Sequence, residues 1–124
     1  MIKTYGKELI LDLHNCDVTK FTRKDLRIYF KELCKLIDMK RCELHFWDDV
    51  GVPEKEKMIL PHTKGTSAVQ FIITSNITIH TLDLLEKVFV NIFSCKDFNS
   101  DTAAYFTEAF FNGDIVKRTE VIRV

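Results

Sequence analysis

Residues 67–95, SAVQFIITSNITIHTLDLLEKVFVNIFSC, decide the fold of this chain. Apolar and polar residues alternate from Ser67 to Thr74 and again from Ile77 to Leu82, around a break at Ser75-Asn76. Lys87 to Cys95 alternates in the same way. A period of two marks a half-buried strand. Three consecutive strands with short, hairpin-like connections are therefore expected, and hairpins pair strands antiparallel.

Outward from this core, Glu8 to His14 reads as a strand rich in Leu and Ile. Thr22 is placed to cap a helix, with Asp25 near its positive end. Leu26, Tyr29, Phe30, Leu33, Leu36 and Ile37 recur at helical spacing behind it. Cys42 to Trp47 is a strand candidate, and Asp48 to Lys64 holds both prolines and reads as a long loop. A loop of that length in a compact domain tends to be functional or mobile. Ser100 is expected to cap a second helix, with Ala103, Tyr105, Phe106, Ala109 and Phe110 on its apolar face and Asn112-Gly113 at its end. Ile115 to Val124 reads as the last strand. The order β, α, β, loop, β, β, β, α, β implies one α+β domain over residues 1–124. It is a two-layer sandwich, a mostly antiparallel sheet with two helices on one face. The second sheet face then needs cover, which a partner subunit can supply. Phe89, Phe93, Phe106, Phe110 and Phe111 read as core.

Eighteen basic and eighteen acidic residues cancel, and no Lys/Arg cluster stands out, which disfavours nucleic acid as a partner. No apolar run approaches a membrane span. The opening residues lack the features of a signal peptide, so a cytoplasmic location is expected. Cys16, Cys34, Cys42 and Cys95 are scattered without metal-ligand spacing; the first three read as small core residues. His45, Asp48, Asp49 and His62 have no fixed mutual geometry, so no metal site is read from them.

The chemistry lies in the polar side chains of the central strands. Ser75 and His80 are five residues apart, so a straight strand would place them on opposite faces. They meet in one chain only if it bends, and Asn76 is a residue that tolerates a bend at Ser75-Asn76. Attack of Ser75 on the carbonyl of Thr74 is the reaction such an arrangement allows.

Three blocks carry a resemblance: Gly65-Thr66-Ser67-Ala68-Val69, Ser75-Asn76-Ile77-Thr78-Ile79-His80-Thr81 and Asn91-Ile92-Phe93-Ser94-Cys95. At these residues, and at Gly6 through Asp17, the chain resembles the prokaryotic S-adenosylmethionine decarboxylases. The resemblance implies a self-processing, pyruvoyl-dependent lyase of polyamine and spermidine biosynthesis, a zymogen that assembles as a homodimer. It implies autocatalytic cleavage between Thr74 and Ser75, with Ser75 becoming the pyruvoyl group. It gives His80 the Ser75 α-proton, Ser67 a supporting part in processing, and Cys95 the donation of a proton to the substrate carbanion. The pyruvoyl ketone would hold the substrate amine as a Schiff base and accept the electrons left by carbon dioxide.

The pattern is broken in three places. Thr74 stands where the family usually has Glu. Thr81-Leu82-Asp83-Leu84 replaces Thr-Trp-Pro-Glu, removing with Leu84 the acceptor linked to the nucleoside sugar. The 48–64 loop is longer than the family's connection. Trp47, beside that loop, and Asp83 are candidate substrate-binding residues. A basic amino acid such as arginine or ornithine is the alternative substrate, its distal cation held by Asp48, Asp49 or Asp83. A further alternative is a regulatory relative without catalytic activity that stays uncut.

Overall fold

The computed structural model describes residues 3–124. Six strands and two helices follow in the expected order: β1 (Gly6–His14), α1 (Arg23–Leu36), β2 (Arg41–Trp47), β3 (Gly65–Ile72), β4 (Ser75–Leu82), β5 (Lys87–Ser94), α2 (Ser100–Phe111) and β6 (Asp114–Arg123). The strands form one sheet in the order β2-β3-β4-β5-β1-β6. Every adjacent pair is antiparallel. This is the α+β two-layer sandwich that the alternation implied.

Alternation fixes which side chains enter the core. Leu9, Leu11 and Leu13 of β1, Ile77 and Ile79 of β4, and Val88, Val90 and Ile92 of β5 are fully buried on one face. The helices cover that face. In α1, Thr22 accepts a hydrogen bond from the Asp25 backbone N–H and donates to its carboxylate, which satisfies the first turn. Buried Leu26, Tyr29, Phe30 and Leu33 then line its inner side. The Tyr29 ring packs among Phe106, Phe110 and Phe111 of α2. Its hydroxyl meets Thr107 at 2.7 Å, so the only polar tip in that cluster is paired.

Several details differ from the sequence-based expectation. Asn99, not Ser100, caps α2 by accepting from the Thr102 N–H. Ser100 begins the helix, and its hydroxyl donates to Glu120 of β6. Asn112 takes the left-handed conformation (φ 47°) that ends α2, the role a short polar residue can fill. Cys16 and Cys34 are buried, whereas Cys42 is exposed on the edge strand β2. Phe89 and Phe93 are not core: they sit half-buried on the sheet face away from the helices. Among the described residues no helix is long and apolar enough to cross a membrane.

The most consequential difference is the β3–β4 turn. Ile72 pairs with Ser75, so the hairpin loop is Ile73-Thr74, joined by a cis peptide. No bend occurs at Ser75-Asn76; both lie in the regular part of β4.

Candidate active site

Two separate clusters hold the residues singled out in the sequence. The first lies where the β3–β4 turn meets the end of β5. Ser75 is the first residue of β4 and is buried on the helix-covered face. Its Oγ accepts a hydrogen bond from the Cys95 backbone N–H at 3.1 Å. The Thr74 hydroxyl stands 3.6 Å from the Cys95 sulfur. Gly6 makes room for this arrangement. A Cβ there would fall 2.7 Å from the Cys95 Cα, so only glycine lets β1 pass this closely.

Cys95 sits just beyond β5 and lines a cavity of about 430 Å³ with Tyr5, Gly6, Lys7, Asp97 and Ile122. Its pKa is lowered from the ordinary thiol value. The main cause is a hydrogen bond from the Thr74 backbone, followed by the Thr74 hydroxyl. Desolvation opposes the shift, and the Ser75 and Tyr5 hydroxyls add to it. Tyr5 stacks on Phe93 with ring centroids 6.2 Å apart.

The second cluster is on the opposite sheet face. Ser67 and His80 are directly opposed across β3 and β4, and Ser67 Oγ meets His80 Nδ1 at 2.8 Å. Gly65 permits the close approach of the two strands here, since a Cβ would stand 2.7 Å from the Thr81 carbonyl carbon. A cavity of about 400 Å³ surrounds the pair, walled by Trp47, Met58, His62, Leu82 and Phe89. Trp47 thus borders the His80 cavity.

Ser75 and His80 therefore do not meet within one chain. Five residues of extended strand separate them by about 17 Å, and their side chains leave opposite faces. The expected bend at Asn76 does not form, because Asn76 pairs with both Phe71 and Phe93 in the sheet ladder.

Asp83 lies apart from both clusters. It lines a third cavity, of about 590 Å³, together with Asp48, Asp49, Arg23 and Lys64. Arg23 grips Asp48 through two hydrogen bonds of 2.6 and 2.7 Å, and this holds the Asp48 carboxyl below the usual range. Asp49 accepts from the Met58 N–H, which ties the 48–64 loop to itself. Burial raises the Asp83 pKa against the pull of Lys64. Lys24 and Lys57 also line this space. With so many cations present, it is poorly suited to a substrate's distal ammonium or guanidinium. His45 pairs with Glu43 at 3.0 Å, and His62 faces the His80 cavity, so neither joins Asp48 or Asp49.

Sequence reasoning missed Tyr5, and it named Gly6 only as the start of the N-terminal stretch that carries the resemblance, with no site role. Both precede the Leu/Ile run that marked the first strand, and neither type carries a chemical signature alone.

Comparison with known proteins fits this geometry. The family described as S-adenosylmethionine decarboxylase matches residues 7–124. The fold is similar to that in the crystal structure of the adenosylmethionine decarboxylase from Aquifex aeolicus VF5. The TM-score is 0.77 at 19% sequence identity, over 98% of this chain and 92% of that one. No curated protein matches the chain. The family match takes in Ser67, Ser75, His80 and Cys95, the turn between Ile72 and Ser75 and all of the sheet but the first residue of β1; this chain belongs to the S-adenosylmethionine decarboxylase family.

Proposed function

We propose that the chain cuts itself between Thr74 and Ser75 and works as a pyruvoyl-dependent decarboxylase of S-adenosylmethionine in polyamine biosynthesis. The observation that carries this reading is the contact set joining Thr74, Ser75 and Cys95 at one turn. A serine placed only to end a hairpin has no need of a thiol held beside it.

The residues present suit formation of the group. Ser75 Oγ attacks the Thr74 carbonyl carbon, and the Thr74–Ser75 amide becomes an ester. Loss of the Ser75 α-proton then expels the Thr74 carboxylate. Uptake of water and release of ammonia leave residues 1–74 and a fragment 75–124 that begins with a pyruvoyl. The Cys95 N–H fixes the Ser75 oxygen as an acceptor, so its own proton is free to leave. The backbone carbonyl is the atom attacked, and a threonine at position 74 supplies one as well as any residue.

When formed, the pyruvoyl supplies a ketone that binds an amine and accepts electrons as carbon dioxide departs. Cys95 holds the proton that the decarboxylated carbon then needs. Its lowered pKa makes the thiol a stronger acid than an ordinary cysteine.

His80 and Ser67 enter this scheme through a second copy of the chain. In one protomer they leave the face opposite Ser75. That open face carries Ile10, Val69, Phe71, Phe89 and Phe93, an apolar row that a homodimer would cover. The Ser75 side chain faces the helices, so the approach would be to the exposed Thr74–Ser75 turn at the end of the sheet, which a partner seated on the open face would bring towards its own His80. The Ser67 hydroxyl bonded to Nδ1 fixes the ring, leaving Nε2 to take the α-proton. Trp47 and Phe89 offer aromatic walls suited to an adenine ring and a sulfonium cation. Arginine and ornithine are less favoured, because Asp48 is neutralised by Arg23.

Borohydride reduction with labelled S-adenosylmethionine tests the reading. Label on the fragment that begins at residue 75 supports it. Label absent from cleaved protein, or appearing only with arginine or ornithine, would overturn the substrate assignment.

A further inference from the structure

The thiol of Cys95 has an unusual set of neighbours. The charged groups bordering its cavity are engaged elsewhere: Lys7 pairs with Asp97 at 3.2 Å and Glu120 at 3.1 Å, and the adjacent Lys96 pairs with Asp38 at 2.7 Å. No free cation is therefore committed to the sulfur among the described residues. Tyr5 lies in the same cavity, and its hydroxyl makes the weakest of the contacts that lower the Cys95 pKa. Among the described residues, the side chain that contributes most to the polar surroundings of the sulfur is Thr74, whose hydroxyl stands 3.6 Å away, ahead of Ser75 and Tyr5.

We propose that Thr74 is a positioning residue for Cys95: its hydroxyl donates to the sulfur and holds the thiol beside Ser75. The residue ahead of the scissile bond thus stays part of the site after the chain is cut, as the last residue of the first fragment. A hydroxyl can serve in both states of the thiol. It accepts from the S–H and donates to the thiolate, so it orients the sulfur through a full cycle of proton loss and recovery. The backbone of Thr74 acts on the same sulfur, and the lowered Cys95 pKa fits both contacts. The catalytic meaning of this contact rests on the decarboxylase reading, but the contact itself exists in the uncut chain.

The test is the pH dependence of Cys95 alkylation by iodoacetamide in wild type, Thr74→Val and Thr74→Ser. Label is read on the peptide carrying Cys95, separately for intact chain and for fragment 75–124. Only the thiolate reacts. In Thr74→Val the midpoint should move to higher pH, and alkylation at neutral pH should fall about threefold, the size expected for one modest hydrogen bond. Thr74→Ser should keep the wild-type profile. Thr74 is exposed, so neither change disturbs the core, and Thr74→Ala serves as a second variant without the hydroxyl. Label on exposed Cys42 in the same digest reports any general change in the protein. An unchanged or lower midpoint in Thr74→Val and Thr74→Ala, or a Thr74→Ser profile that follows theirs, would overturn the proposal. Failure of cleavage, read as the share of intact chain, bears on the decarboxylase reading and leaves this comparison valid.

Discussion

The two ends of β4 differ in kind. At its start, Ser75 is buried, faces the helices and is bonded to the backbone of Cys95. Near its finish, His80 is exposed on the open face and is bonded to the side chain of Ser67. On the proposed function the first end is the one that is cut and carries the reactive carbonyl. The second can move a proton but has no scissile bond within reach. On the proposed function each end of β4 supplies half of a site, and a second copy of the chain would complete it.

The largest expected effect comes from breaking the first end. Ser75→Ala should leave one uncut chain with activity at background, seen as a single band under denaturing conditions. Loss of the base at the second end comes next. His80→Ala should slow cleavage by about 10²–10⁴-fold, the usual contribution of a positioned base. Mixing the two variants and refolding them together sharpens the comparison. The His80→Ala chain keeps Ser75, and it should be cut when paired with a Ser75→Ala chain that keeps His80. No cutting in verified mixed dimers would place the base within the same chain or elsewhere.

Cys95→Ala should be milder at the processing step and severe in turnover. The chain should still cut, while decarboxylation falls by about 10²–10⁴-fold. A variant that is cut and fully active would remove Cys95 from the proton transfer. The smallest effect concerns the 48–64 loop, which borders the His80 cavity and the cavity that holds Asp83. Asp48→Asn should lower unfolding stability only slightly, because the Arg23 partner is exposed and solvent screens the pair. Because the folded Asp48 pKa is depressed, its contribution is complete above the unfolded value of 3.8 and is lost as pH falls below it. Wild type and variant should therefore converge in stability on acidification, a trend that denaturant titrations at several pH values would measure.

Much of the fold could be read from the sequence because its signals were local. Thr22 and the apolar period behind it mark α1, and the alternation from Ser67 to Cys95 marks the central strands. The turn between β3 and β4 was harder. Ile73 and Thr74 are β-branched and favour strands, while Asn76 favours turns. Register decided otherwise: Ile77, Ile79 and Thr81 must face the helices, and this carries Ser75 and Asn76 into β4. Local preference yields to packing in such a case. The separation of Ser75 from His80 was present in their odd spacing all along, and only the expected bend hid it. Phe89 and Phe93 were misplaced for a different reason. Alternation shows that such residues share a face, without showing which face the helices take.

Intact-mass analysis of purified wild-type protein tests the central claim most directly. The account expects two species, residues 1–74 and a 75–124 fragment lighter by one ammonia than a simple hydrolysis product. A single chain of full mass in a preparation that decarboxylates S-adenosylmethionine would contradict it.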